Sequence, residues 1–138
     1  MGAWCQTTGE YISEPWVDSV FRESRTDPES KFPSVPFLEC YGILSAVITL
    51  AGRNKLVQVF CDSETAAFIC NKRWCKTSDV LNSYIADFDI KCTDRALFVQ
   101  VQSIPREKNT EAHTLAYGRQ PKVQLGGQRE AAILKKIF

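Results

Sequence analysis

The sequence predicts a helix that is apolar on nearly every side, followed directly by a mostly apolar strand. Pro36 suits the first turn of the helix, which we expect to run to about Ala51 and to end at Gly52. The run Leu56 to Cys61 follows and is bounded by charged residues, which is typical of a strand buried on both faces. A buried helix beside a buried strand favours an α/β fold.

The segments around this pair continue the alternation of strands and helices. We expect two short strands, a polar loop, two more helices, an alternating strand and a last helix, at residues 2–5, 10–12, 24–34, 64–71, 78–91, 97–104 and 109–116. Ser78 and Asn109 are suited to cap their helices. This order predicts a mixed sheet flanked by helices, without internal repeats.

The chain divides into two parts. We assign residues 1–118 to the α/β domain and residues 119–138 to a linker and a C-terminal amphipathic helix. That helix would cover Gln128 to Phe138, with Ala131, Leu134 and Phe138 on one apolar stripe.

The composition excludes several classes of protein. With 138 residues, of which 44% are hydrophobic, the chain is expected to form about one domain with a core of its own. The 17 basic and 16 acidic side chains give a net charge of +1, which excludes a strongly basic arm or an acidic tail. Any affinity for a polyanion must therefore come from a local patch.

Neither membrane insertion nor secretion is expected. The longest apolar stretch, Phe37 to Gly52, is shorter than the roughly 18 residues that a membrane span needs, and it contains Glu39. The N-terminus lacks the pattern of a secretory leader. The six cysteines are scattered through apolar elements, which favours reduced, mostly buried thiols in the cytoplasm or the nucleus. Cys70 and Cys75 lack a second pair of ligands for zinc.

Two carboxylates are the main candidates for chemistry. Glu39 is the only charged residue between Lys31 and Arg53, and a carboxylate in a buried helix needs a partner or a metal. The alternative is that it complements the helix dipole at a solvent edge. Asp62 directly follows the apolar strand, where α/β sheets present ligand groups, although an N-cap is the alternative. The pair is suited to a magnesium site.

Two further features remain open between a functional and a structural role. His113 is the only histidine and lies on the last predicted helix, where a polar edge residue is the common alternative. The cluster Lys72, Arg73, Trp74 and Lys76 combines charge with a stacking face, which suits a phosphate backbone as well as it suits a solvated loop. The sequence has no Gly-x-Ser-x-Gly motif, protease signature or Gly-rich phosphate loop.

Three segments, residues 35–41, 59–66 and 104–116, carry a family resemblance. They resemble, in order and separation, the Leu-Glu-Leu helix, the strand ending in Asp-Ser or Asp-Asn, and the closing Pro-Gly-x-x-Asn-x-x-Ala-Asp-x-Leu segment of ribonuclease H domains in retroelement polyproteins. The resemblance covers roughly residues 2 to 118 and is closest to the tyrosine-recombinase elements of DIRS/Ngaro type.

The resemblance implies a five-stranded mixed sheet flanked by helices. It also implies cleavage of the RNA strand of an RNA–DNA hybrid by two Mg²⁺ ions, or Mn²⁺ in their place, held by four acidic residues. Glu39 and Asp62 match the second and third acids of the family, and His113 falls at the position of the fourth acid. The resemblance therefore implies that these three residues are the catalytic positions. It also implies that Glu39 and Asp62 are the metal ligands. The implied partners are a hybrid or duplex and a neighbouring reverse transcriptase domain.

The sequence lacks some of the acidic residues that hold the metal ions in this family. The first acid has no match, because the family's first strand would lie before Met1, so the central strand is either lacking or replaced by Gly2 to Thr7. Ser103 stands where the family usually has a histidine. Two carboxylates cannot offset the four positive charges of two Mg²⁺ ions, and imidazole is a poor ligand for Mg²⁺. We therefore expect weak Mg²⁺ binding and little or no hydrolysis.

Two other functions fit the same sequence. One is a non-catalytic module that binds a hybrid or duplex through the basic cluster at residues 72–76. The other is a domesticated protein-interaction domain whose C-terminal helix docks a partner.

Overall fold

The computed structural model describes residues 1–25 and 34–138. Most of the predicted loop at residues 24–34 therefore lies outside the described residues. The elements in chain order are β1 (Gly2–Trp4), β2 (Tyr11–Ser13), α1 (Asp18–Glu23), α2 (Val35–Leu50), β3 (Lys55–Cys61), α3 (Glu64–Lys72), α4 (Asp79–Arg95), β4 (Leu97–Ser103) and α5 (Thr110–Ala116). A 3-10 turn, Arg106–Lys108, precedes α5. The predicted α/β class is confirmed.

The four strands form two separate pairs. β1 and β2 are antiparallel, and β3 and β4 are parallel, with Lys55 opposite Leu97 and Cys61 opposite Ser103. The structure therefore contains both strand orientations but, among the described residues, does not join them into the single mixed sheet that the sequence predicts.

The β3–β4 pair is covered by helices on one face only. Leu97 and Val101 are buried, whereas Leu56 on the other face is 87% exposed and Phe98 is 70% exposed. The prediction that the β3 strand is buried on both faces is therefore wrong. Apolar composition indicated burial, but no described element packs over Leu56 and Phe98.

Helix α2 lies at the centre of the core, as its uniformly apolar sequence predicts. Its buried side chains pack against α3 and α4, and the cluster also includes residues from the inner face of β3 and β4. Asn71 attaches α3 to β4, since its side chain donates to the Val101 carbonyl at 2.7 Å and accepts from the Val101 amide at 2.8 Å.

Hydroxyl side chains cap three helices. Ser34, Ser63 and Ser78 accept hydrogen bonds from the amides of the third residue along, in α2, α3 and α4 respectively. Such a bond satisfies one of the amides that a helix start leaves without an intrahelical partner. The prediction for Ser78 is confirmed. Asn109 precedes α5 but makes no side-chain cap, so that prediction is wrong.

The C-terminal segment, residues 129–138, forms neither helix nor strand. No helix forms over Gln128 to Phe138, so the predicted amphipathic helix is wrong. Leu134 is buried, but Phe138 is 72% exposed, and the expected apolar stripe does not exist. The physical reason is that side chains of α2 and α4 bond the amides of this segment, which a helix would use internally.

All six cysteines are free thiols, and five of them are buried, as the sequence predicts. No helix of the described ranges is both long and apolar enough for a membrane crossing.

Candidate functional site

Glu39 lies in the second turn of α2 and is partly buried. The first turn of this helix contains no acidic residue, so Glu39 is not placed to complement the helix dipole at the first turn. Its neighbours Leu38 and Cys40 are both buried, so the Glu39 backbone lies against the core. The carboxylate therefore stands at the edge of the core, where it needs polar partners.

Asp62 follows β3 directly and lies at the carboxyl end of the parallel pair. The N-cap role suggested by its sequence position belongs to Ser63, whose hydroxyl accepts from the Ala66 amide at 3.1 Å. Asp62 is consequently not used for capping, and its carboxylate, 23% exposed, is available to other groups.

The two carboxylates lie close enough to repel each other. Burial raises the pKa of the Glu39 carboxyl, and the negative charge of Asp62 raises it further. A hydrogen bond from the Ser63 hydroxyl and the charge of Arg106 act in the opposite direction. Glu39 of α2 and Asp62 at the end of β3, which are distant in the sequence, thus lie near enough for the charge of Asp62 to act on Glu39.

Arg106 supplies the positive charge of this site. Its Nε lies 3.4 Å from Oδ2 of Asp62, and its side chain is 73% exposed. The Ile104 amide donates to the Cys61 carbonyl at 2.7 Å, which ties the segment after β4 to the end of β3 and brings Arg106 to Asp62. Sequence analysis missed Arg106, although its position just after the strand-ending Ile-Pro was the available signal.

We call Glu39, Asp62, Ser63 and Arg106 the acidic site. Two carboxylates and one guanidinium leave a formal charge of −1, and the guanidinium competes with any cation for Asp62. Over the described ranges, no three side chains of His, Cys, Asp or Glu come together as a metal would require. The donor set therefore does not fit a pair of Mg²⁺ ions, which needs more carboxylate charge.

His113 lies on α5, which packs against β1. Its ring stacks edge-on against Tyr117 with centroids 5.0 Å apart, and its amide donates to the Asn109 carbonyl. No group of three potential ligands forms among the described residues, so His113 does not join Glu39 and Asp62 as a third ligand. The catalytic position implied by the resemblance is not assembled here.

The predicted basic cluster separates into one partly buried residue, Arg73, and an exposed group. Arg73 ends α3 in a left-handed conformation with φ 61°, and its guanidinium lies 3.0 Å from Asp89 and 4.8 Å from the centre of the Phe88 ring. It also donates to the Cys70 carbonyl. These contacts use Arg73 for packing, so its predicted contact with a phosphate backbone is not supported.

The exposed group consists of Lys72, Trp74 and Lys76, and we call it the basic–aromatic surface. Trp74 is 52% exposed, and both lysines are exposed. Phe68, one helical turn before Lys72 and 65% exposed, extends this surface, with the Lys72 ammonium 5.4 Å from the centre of its ring. Phe68 was missed from the sequence because an apolar residue in a short helix is normally taken for core.

Comparison of the chain with protein-family models, curated proteins and solved structures yields no match.

Proposed function

We propose that this chain is a ribonuclease H-like domain of retroelement origin that binds RNA–DNA hybrid and cleaves it weakly or not at all. The observation that carries this proposal is the convergence of Glu39 and Asp62 from α2 and the end of β3. A carboxylate at the carboxyl end of a parallel strand pair, under the charge of which a second carboxylate of α2 lies, is the remnant of a site for divalent cations. The order of elements and the family resemblance support the same proposal.

Weak or absent cleavage follows from charge. The acidic site offers two carboxylates, and Arg106 already neutralises part of the charge on Asp62. In two-metal hydrolysis, cations bind both the attacking and the leaving oxygen. The donor set of the acidic site does not hold two such cations in place. Binding of nucleic acid does not depend on those cations.

The basic–aromatic surface supports binding. Lys72 and Lys76 offer two positive charges to phosphates, and Trp74 and Phe68 offer exposed rings on which a base can stack. With a net charge of only +1, the chain relies on this local surface for its affinity. We therefore expect modest affinity that falls steeply as the salt concentration rises.

A labelled RNA–DNA hybrid tests both parts of the proposal. We expect binding at low salt and little cleavage with either Mg²⁺ or Mn²⁺. Rapid cleavage that Glu39→Gln or Asp62→Asn abolishes would contradict the loss of hydrolysis. Absence of hybrid and duplex binding at low salt would contradict the binding function and favour a protein-interaction domain instead.

The structure gives the protein-interaction function less support than the sequence does. It depended on a C-terminal helix that docks a partner, and residues 128–138 form no helix.

A further inference from the structure

Within the described part of the chain, the parallel strands β3 and β4 each have one edge that pairs with no further strand. The outer edge of β4 is covered by a side chain of α3. Asn71 accepts a hydrogen bond from the Val101 amide at 2.8 Å and donates one to the Val101 carbonyl at 2.7 Å. Both backbone groups of Val101 therefore point away from β3.

The orientation of Val101 fixes the direction of the backbone groups throughout this sheet. Successive residues of a strand direct their N–H and C=O groups to opposite sides, so those of Gln100 point toward β3. Gln100 lies opposite Gln58, and in a parallel ladder its two groups bond the residues on either side of Gln58. The bond from the Ile104 amide to the Cys61 carbonyl at 2.7 Å continues the same ladder. The odd-numbered residues of β3 therefore bond β4, and the even-numbered residues do not.

The even-numbered residues within β3, Leu56, Gln58 and Phe60, consequently direct their backbone groups to the outer edge of this strand. No other described residue forms a backbone hydrogen bond with these groups. Their side chains are uncovered as well, since Leu56 is 87% exposed, Phe60 is 49% exposed and Gln58 is exposed. An exposed edge with unpaired N–H and C=O groups is a template for pairing with another strand.

The residues of this edge are nearly symmetric about Gln58. The run Leu-Val-Gln-Val-Phe, residues 56–60, has a valine on each side of the glutamine and a large apolar residue beyond each valine. The run carries no charge, and the charges of Lys55 and Asp62 on its two flanks are opposite in sign. A twofold axis brings a surface against the same surface of another copy, so a symmetric and uncharged strand is suited to its own copy.

We propose that β3 pairs antiparallel with β3 of a second copy of the chain, around a twofold axis at Gln58, so that two copies form one four-stranded sheet. In this register the Gln58 residues of the two copies face each other, and Leu56 of each copy faces Phe60 of the other. All three pairs direct their N–H and C=O groups at the partner strand, as hydrogen-bonded antiparallel pairs require. Leu56 thereby gains an aromatic cross-strand neighbour, which stabilises such a pair.

Charge and the covered edge of β4 both favour an assembly of two copies. The antiparallel register brings Lys55 of each copy to the strand end where Asp62 of the other copy lies, so that unlike charges are neighbours. A register shifted by two residues toward Asp62 would instead place this carboxylate opposite Leu56. Asn71 covers the outer edge of β4, so the sheet does not grow by a further strand at Val101. The assembly therefore closes at the dimer.

The oligomeric state of the full chain tests this proposal, and sedimentation velocity over a range of concentrations measures it. We expect a monomer that converts to a dimer as the concentration rises. Because Gln58 faces its own copy, Gln58→Lys and Gln58→Glu should each weaken the dimer at least tenfold by placing like charges opposite each other. An equimolar mixture of the two variants should associate again, since unlike charges then face each other across the axis.

Gln100→Lys is the matched control. Gln100 is exposed and lies opposite Gln58 in the β3–β4 pair, but it is one strand farther from the axis. The dimer should persist in this variant, and its loss would indicate face-to-face packing of two sheets and contradict edge pairing. A wild-type chain that stays monomeric, single Gln58 variants that dimerise as well as the wild type, or a mixture that does not associate would each overturn the proposal.

Hydrogen exchange locates the contact in the wild-type chain. The amides of Leu56, Gln58 and Phe60 should exchange at least tenfold more slowly where the dimer forms than in dilute protein. The amides of Val57 and Val59, which bond β4 in the single chain, should be protected at both concentrations. Exchange of the Gln58 amide at one rate in both samples would mean that the dimer, if present, uses another surface, and the proposal would then be wrong.

Discussion

The guanidinium Nε of Arg106 lies 3.4 Å from Oδ2 of Asp62, so that a cationic side chain lies directly beside this carboxylate. Burial and the charge of Asp62 raise the pKa of Glu39, and the charge of Arg106 acts in the opposite direction. The acidic site is therefore a mixed-charge cluster with its own counter-charge. This arrangement gives the first two predictions.

Arg106→Gln should strengthen the binding of Mn²⁺ or Mg²⁺. Removing the guanidinium changes the formal charge of the acidic site from −1 to −2 and frees Asp62. Because the Arg106 side chain is 73% exposed and solvent screens its charge, we expect a gain of about threefold to tenfold in affinity, measured by calorimetry or by Mn²⁺ paramagnetic resonance. Arg129→Gln, which removes a comparable exposed ion pair with Glu10 at 3.0 Å, is the control and should leave the affinity unchanged.

Glu39→Gln should stabilise the protein at neutral pH. Burial and the neighbouring Asp62 raise the pKa of Glu39, so the native state holds this proton more tightly than the unfolded state does. The ionised Glu39 therefore destabilises the native state. This destabilisation is absent below the ordinary glutamate pKa of about 4.3 and is complete above the raised pKa of the native state. Denaturant titrations should therefore show a gain in the free energy of unfolding at pH 7 that disappears near pH 4. Glu107→Gln, an exposed neighbour, is the control, and a stabilisation that is constant across pH would contradict this assignment.

Asp87→Asn should destabilise the protein at neutral pH. Burial alone would raise the pKa of Asp87, but the Lys135 amide and the Lys91 ammonium outweigh it and hold the pKa below its usual range. The stabilisation is therefore present above the ordinary aspartate value of about 3.9 and is lost as the pH falls through the native value.

We expect this substitution to cost about 1–3 kcal/mol at pH 7, with a difference that shrinks below about pH 4, in denaturant titrations followed by circular dichroism. Asp94→Asn, on the exposed side of the same helix, is the matched variant. If both variants lose the same stability at every pH, the bond to Lys135 does not contribute.

Lys72→Ala and Lys76→Ala should each weaken binding of an RNA–DNA hybrid and flatten its salt dependence. Every lysine that contacts a phosphate contributes nearly one unit to the slope of log affinity against log salt. Fluorescence anisotropy over a range of salt concentrations measures this slope. Lys122→Ala, an exposed lysine in the segment after α5, serves as the control and should not alter it.

Arg73→Ala should behave differently from its two lysine neighbours. Its guanidinium is bonded to Asp89 and the Cys70 carbonyl, so we expect a loss of about 1–3 kcal/mol in stability with no change in the salt slope. A flattened slope in this variant would mean that Arg73 reaches phosphate despite its internal contacts.

Local patterns in the sequence predicted the elements well. The apolar run of α2, the strand ending at Cys61 and the Ser78 cap all appear close to their expected positions. Such features depend on residues a few positions apart, whose backbone sterics and capping bonds act within one segment. The candidate carboxylates Glu39 and Asp62 were found for a similar reason, since each stands out against its own apolar surroundings.

The wrong predictions share a different cause, which is that they depend on contacts between residues distant in the sequence. Leu56 is apolar yet exposed, because burial depends on whether another element arrives to cover it. Residues 128–138 have a helical stripe yet form no helix, because Asp87 and Tyr41 bond their amides from distant helices. The sequence predicts that Arg73 belongs to a basic surface, but in the structure its guanidinium contacts Asp89 and the Phe88 ring.

The sequence by itself determined most of the helices and strands, α2 to α5 among them, and which two carboxylates are candidates, because each depends on short-range sterics, capping and apolar periodicity. Only the tertiary structure decided that Arg106 pairs with Asp62 and that the C-terminal segment lies across α2 and α4. Those contacts join residues far apart in the chain, and their formation depends on the packing of whole elements, which no local pattern contains.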